Sequence, residues 1–190
     1  GNYLFLDLHH IIADGTSLEI IINDINKAYS GETLKKEEYT SYELALDNHD
    51  ALNSDTYKNA EDYYRSVFEK AGGSIAFYPD KSGAVPTAEM YHREVSEISV
   101  QSVKDFCKKN GITENVFFIA AFGLTLGKYN FKENAVFTTI YHGRNDSRLS
   151  DTVGMLVKTL PVYCDFSGQT QEYLADVRQQ LMDSMNNDIY

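Results

Sequence analysis

The stretch His9-His10-Ile11-Ile12-Ala13-Asp14-Gly15 decides how this chain is read, because it joins an apolar segment to an amphipathic helix. Upstream, Tyr3-Leu4-Phe5-Leu6 and Leu8 form a nearly continuous apolar run, the pattern of a strand covered on both faces. Downstream, Leu18, Ile21, Ile22, Ile25, Ala28 and Tyr29 recur at helical spacing. The expectation is a buried strand, a turn and a helix, with two imidazoles and a carboxylate held at the mouth of a sheet. Thr16-Ser17-Leu18-Glu19 reads as a capping box in which the Thr16 hydroxyl accepts the Glu19 amide. Acid–base catalysis needs such rigid placement. Taken alone, however, an imidazole on a strand-end turn is more often structural.

Outward from this stretch, the first helix runs to about Ser30, with Gly31 placed to end it. Further helices are expected over Ser41–Leu52, Asp55–Ala71, Val100–Lys109, Glu114–Tyr129 and Thr170–Met185. The third helix should stop at Gly72-Gly73, carrying Tyr57, Ala60, Tyr64, Val67 and Phe68 on one side. Phe117, Phe118, Ile119, Ala120, Ala121, Phe122 and Leu124 give the helix at 114–129 the composition of a buried element. Strands are expected at Tyr91–Ile98, at Ala135–Tyr141 in a central position, and at Val157–Cys164. The stretch from Gly72 to Thr87 contains Pro79 and Pro86 and reads as a linker.

Composition narrows the function classes. A chain of 190 residues that is 43% apolar can bury a real core, as one domain or two small lobes. With 17 Lys and Arg against 28 Asp and Glu, the net charge is −11, which makes nucleic acid and anionic membranes poor partners. No apolar run approaches transmembrane length. Cys107 and Cys164 show no metal-ligand spacing; a reduced, cytoplasmic setting fits, with both thiols packing. A metal site from His9, His10 and Asp14 would lack further ligands. A Ser17-based hydrolase would lack the Gly-x-Ser-x-Gly elbow.

The pattern His-His-x-x-x-Asp-Gly at His9–Gly15 resembles the active-site signature of the condensation domains of nonribosomal peptide synthetases, members of the chloramphenicol-acetyltransferase-like superfamily. Three more matches follow in the family's order. Tyr39-Thr40-Ser41-Tyr42-Glu43-Leu44-Ala45-Leu46 is similar to the aromatic, Ala-containing helix after the signature. His142-Gly143-Arg144-Asn145 resembles a Gly-Arg turn, and Val153-Gly154-Met155-Leu156-Val157-Lys158-Thr159-Leu160-Pro161 resembles the Gly-x-Phe-x-Asn-Thr-Leu-Pro motif. Lys158 stands where the family usually has Asn, and Met155 or Leu156 where Phe is common. Asn187-Asp188-Ile189-Tyr190 looks like the start of a further family motif, so the chain reads as an internal piece, truncated at both ends.

The resemblance implies an α+β, two-lobed fold of mixed sheets backed by helices. Residues 1–78 would be the C-terminal part of the first lobe, 79–88 a linker, and 89–190 the N-terminal part of the second. It implies amide formation between an acyl or peptidyl thioester donor and an aminoacyl thioester acceptor. Both would ride on the 4′-phosphopantetheine of upstream and downstream peptidyl carrier protein domains, with an adenylation domain in the same assembly line and no cofactor bound by the domain itself. His10 would face the reaction centre and His9 would support the turn from inside. Asp14 would pair with Arg144, and Gly15 would present an unhindered amide. His142, Lys158 and Thr159 would line the substrate channel. The isolated piece is expected to be inactive. An epimerization domain or a coenzyme A-dependent acyltransferase of the same fold, and a non-catalytic docking module, are the rivals. The Asp-rich motif of heterocyclization domains is excluded by His9 and His10.

Overall fold

The computed structural model describes residues 3–71 and 89–190. The expected linker at 79–88 and the helix stop at Gly72-Gly73 lie outside them. Along the described chain come helices α1 (Gly15–Tyr29), α2 (Ser41–Ala51), α3 (Asp55–Ala71), α4 (Val100–Asn110) and α5 (Glu114–Tyr129). Strand β1 (Asn134–Tyr141), a 3-10 turn (Ser147–Leu149), strand β2 (Lys158–Asp165) and helix α6 (Thr170–Asn186) follow, with β1 and β2 paired in one sheet. No helix among the described residues is long and apolar enough to cross a membrane.

Helix starts are set by side chains that accept an otherwise unpaired first-turn amide. Asp14, Thr40, Ser99 and Thr113 do this for α1, α2, α4 and α5. The reciprocal capping box sits at Thr40 and Glu43 rather than at Thr16 and Glu19. Asp14 already holds the N-cap of α1, because its carboxylate accepts the Ser17 amide and so starts the helix earlier.

Two expected strands are absent. Residues 3–8 and 91–98 form no ladder, and Tyr3 and Phe5 are 97% and 88% exposed. Apolar, β-rich composition makes a strand only where a neighbour takes up its backbone N–H and C=O groups, and neither segment has one among the described residues. For the same reason β1, expected to be central, has β2 as its one neighbour there.

The chain divides into two compact units. One comprises Gly1–Asp62, Ile140–Leu160 and Asn187–Tyr190; the other comprises Tyr63–Thr139 and Pro161–Asn186. Residues 140–160, read from the sequence as second-lobe residues, thus group with the segment that carries the His motif. The bonds responsible are described with the site below.

In the second unit the core is built by Val116, Ile119, Ala120 and Leu126 of α5, Val162 and Cys164 of β2, and Tyr173, Leu174, Val177 and Leu181 of α6. Gly123 and Gly127, one turn apart on α5, let that helix approach closely. A Cβ on Gly123 would lie 2.5 Å from Cys164 Sγ, and one on Gly127 would lie 2.8 Å from the Asn134 carbonyl oxygen. The Tyr173 hydroxyl donates to the Ala120 carbonyl at 2.6 Å, so its polar tip is satisfied inside the core. Tyr64 likewise donates to the Ser184 carbonyl at 2.9 Å. Burial pushes the Cys164 thiol up to about 11, which makes it an inert packing group.

The aromatic cluster on α5 is only partly core. Ile119 and Ala120 are buried, whereas Phe118 and Phe122 are 60% and 50% exposed. Leu181→Ala should therefore cost about 2–5 kcal/mol of stability, whereas Phe118→Ala should cost only its ring contact with Phe117, about 0.5–1.5 kcal/mol. Chemical denaturation of the two variants measures the difference. Equal losses would mean that the core has been misassigned.

Candidate active site

The His motif takes its shape from a turn and a helix cap. The Ile12 amide donates to the His9 carbonyl at 3.0 Å, which closes the turn, and Asp14 then caps α1 from an extended backbone conformation. The Asp14 side chain is buried, and both of its oxygens are used. Oδ1 accepts the Ser17 amide at 2.8 Å, the Ser17 hydroxyl at 2.8 Å and Arg144 Nη2 at 3.0 Å. Oδ2 accepts the Leu156 amide at 3.1 Å and Arg144 Nη2 at 3.2 Å. Burial by itself would raise the Asp14 carboxyl. The amide and hydroxyl of Ser17, the Leu156 amide and Arg144 outweigh it and hold the group below the ordinary carboxylate range. Asp14 is an ionised structural hub, too enclosed and too fully paired to exchange protons with a substrate.

Arg144 is the other half of this hub. Its side chain is 7% exposed against 0% for Asp14. Nη2 serves Asp14 and also reaches Ser17 Oγ at 3.2 Å. Nη1 donates to the carbonyls of Leu149 and Thr152, each at 2.7 Å. Only a planar guanidinium can serve that spread of acceptors at once; a lysine ammonium could not. The remaining donor, Nε, is buried without an acceptor among the described residues.

Ser17 is fully buried. Its hydroxyl sits between Asp14 and the Gly154 carbonyl (2.8 Å to each), while the Gly154 amide donates to it at 3.0 Å. With one proton to give, it shares that proton between two acceptors. None of its partners is an imidazole, which removes the Ser-His-Asp hydrolase reading. Thr152 extends the network by donating to the Tyr39 carbonyl at 2.6 Å, and Glu37 accepts the Val153 amide at 2.9 Å. These bonds gather residues 37–41 and 142–156 around the start of α1.

Gly143 has φ +68°, and a Cβ there would collide with the Leu156 carbonyl oxygen, so glycine is the residue this turn accepts. The turn directs the Arg144 amide back onto His142 Nδ1 at 3.0 Å.

The histidines hang from this hub in defined tautomers. His10 Nδ1 lies 2.9 Å from the Ala13 carbonyl oxygen. A carbonyl can only accept, so Nδ1 carries the proton and Nε2 keeps a free lone pair. His9 is the reverse. Its Nδ1 accepts the Ile11 amide at 3.1 Å, which puts the proton on Nε2. His9 is exposed rather than inside the unit, and its Nδ1 is engaged by the turn's own backbone. His10 and His142 are exposed as well, and so is Gly15, whose Cβ position is open. Lys158 belongs to a different contact: its ammonium bonds the Asp188 carbonyl at 2.5 Å and lies 3.4 Å from the Asp188 carboxylate. Thr159 is exposed beside it, and of the pair at 155–156 it is Leu156 that turns inward.

The sequence profile of the condensation domain matches residues 1–190. This chain belongs to the condensation-domain family. Its curated relatives are peptide synthetases. It is 27% identical to gramicidin S synthase 2 of Aneurinibacillus migulanus, over 99% of this chain and 4% of that protein. It is 26% identical to the hybrid PKS-NRPS synthetase pydA of an Acremonium species, over 98% of this chain and 5% of that protein. Among solved structures, the SgcC5 protein of Streptomyces globisporus superposes with a TM-score of 0.79 at 22% identity, over 95% of this chain and 43% of that one. The first condensation domain of the calcium-dependent antibiotic synthetase gives 0.73 at 15% identity, over 94% and 44%. The fold is therefore that of condensation domains, the chloramphenicol-acetyltransferase-like α+β fold. The chain spans less than half the length of these solved neighbours and about a twentieth of the synthetases.

The depressed Asp14 carboxyl fixes the sign of a pH test. Its contribution is fully present above the ordinary carboxylate value near 4 and drains away as pH falls through the lower folded value. Asp14→Ala should cost about 3–5 kcal/mol at neutral pH, because it strands the Arg144 charge. The loss should shrink below pH 4, where wild type gives up the same interaction. Denaturation curves across pH check this. An Asp14→Ala penalty under about 1 kcal/mol at pH 7 would contradict the hub.

Proposed function

We propose that the domain containing this chain forms an amide bond between a carrier-bound acyl or peptidyl thioester and a carrier-bound aminoacyl thioester, with His10 as the residue that meets the attacking amine. The observation that carries this is the His10 imidazole, exposed, pinned through Nδ1 to Ala13 and left with a free Nε2 lone pair. An amine attacking a thioester must lose a proton, and a positioned neutral imidazole is suited to accept it. His9, with its Nδ1 lone pair already engaged by the Ile11 amide, is a turn-holding residue.

In this reading no enzyme nucleophile is needed, because the substrate amine attacks directly. The domain binds no cofactor of its own; 4′-phosphopantetheine arms of upstream and downstream carrier proteins deliver both substrates. An adenylation domain of the same assembly line would load them. Family membership supports the partners by kind, as does the peptide-synthetase identity of the relatives. An epimerization domain shares this fold, with a TM-score of 0.71 for one from tyrocidine synthetase. The two readings differ in whether an acceptor is required.

His10→Ala in the whole domain, supplied with both loaded carriers, should lower amide formation by about 10²–10⁴-fold while carrier binding persists. Unchanged product formation would overturn the assignment in favour of a docking module. Exchange of the donor α-hydrogen with solvent deuterium when the acceptor is withheld would overturn it in favour of epimerization.

A further inference from the structure

We propose that His142 is a second catalytic imidazole, which donates a hydrogen bond from Nε2–H to the thioester carbonyl oxygen while His10 takes the amine proton. The inference rests on the amide-forming reading above and assigns the other half of its chemistry.

The tautomer follows from the partner. The Arg144 amide donates to His142 Nδ1 at 3.0 Å, so that nitrogen offers its lone pair and the neutral ring carries its proton on Nε2. His10 has the opposite tautomer, because its Nδ1 faces a carbonyl. One exposed ring thus offers a proton acceptor and the other a proton donor. The His142 ring also packs against the buried Tyr141 ring, with centroids 4.8 Å apart and planes tilted by 46°. A donor fixed before the reaction needs no reorganisation as charge develops, which is what makes such groups effective.

Both rings depend on one ion pair. His142 stands two residues before Arg144, a chain length of at most about 7 Å. His10 stands four residues before Asp14, and the Ile12–His9 turn bond shortens that span. Asp14 and Arg144 meet at 3.0 Å inside the same compact unit. The two imidazoles are therefore carried on short tethers from a common anchor. Gly143, which only glycine can be, is what aims the Arg144 amide at the His142 ring.

The step balances without a further reactant. The amine nitrogen forms a bond to the thioester carbon, and the carbonyl π pair moves onto oxygen, where the His142 Nε2–H hydrogen bond stabilises it. The nitrogen's proton passes to His10 Nε2. As the pair on oxygen returns, the carbon–sulfur bond breaks, and the thiolate takes that proton from His10. His142 keeps its own proton throughout.

The test uses the whole domain with both carriers loaded, in single-turnover measurements of amide formation alongside carrier affinity. His142→Phe keeps a ring and removes the donor; it should slow product formation by about 10²-fold with carrier affinity unchanged. His142→Gln restores an N–H at similar reach and should recover most of the rate. A wild-type rate for His142→Phe, or a His142→Gln rate as low as that of His142→Phe, overturns the donor role. His10→Ala in the same assay separates the two ideas. If it is dead while His142→Phe is normal, this inference falls and the amide-forming reading stands; if both are normal, the reading itself falls. Should His142→Phe fail to fold, nitrogen NMR of the wild-type domain decides: the proton belongs on Nε2 of His142 and on Nδ1 of His10, and the reverse overturns the proposal.

Discussion

The buried ion pair between Asp14 and Arg144 is the constraint on which the His-motif unit depends. One carboxylate caps α1, accepts the Leu156 amide and meets a guanidinium whose other arm holds two carbonyls. Desolvating two charges is costly, and a pair of this kind is poor evidence for net stability by itself. What it does supply is uniqueness. Every oxygen of Asp14 has a partner, so the turn that precedes it has one geometry. The ion pair thereby ties together the two turns that carry His10 and His142.

A division of labour among polar groups follows from this. Groups that must not react are enclosed: Asp14, Ser17 and Thr152 are buried and hydrogen-bonded, and burial keeps Cys164 a thiol. The exposed imidazoles of His9, His10 and His142 have their tautomers set by backbone atoms rather than by other side chains. A backbone carbonyl or amide does not titrate. Which nitrogen of each neutral ring carries the proton is therefore set by the backbone, at Ala13 for His10 and at Arg144 for His142.

Much of this was legible in the sequence, for reasons that differ by residue. The spans of α3 and of α5 could be read because their composition and apolar spacing are those of helices. The Asp14–Arg144 pairing came from resemblance, since nothing local in either segment reports a partner 130 residues away. The cap of α1 was misread because Asp14 and Thr16 are both good N-cap residues, and long-range bonds decide between them. Ser17 could be weighed from the sequence only as a nucleophile, and its buried bridging role was not legible because its partner Gly154 lies 137 residues off, although the Asp14-x-x-Ser17 spacing was a usable signal. Residues 3–8 and 91–98 have strand composition without a ladder partner among the described residues, and composition cannot report a partner. Phe118 and Phe122 failed in the same way: an apolar side chain says that it can be covered, not by what.

The most direct measurement is a crystal structure of the whole domain with an unreactive analogue of the aminoacyl acceptor. The account predicts that its amine nitrogen lies within about 2.6–3.2 Å of His10 Nε2, with His10 Nδ1 still on the Ala13 carbonyl and Asp14 still locked to Arg144. An amine bound elsewhere, or a His10 ring turned so that Nε2 contacts protein instead of the amine, would contradict it.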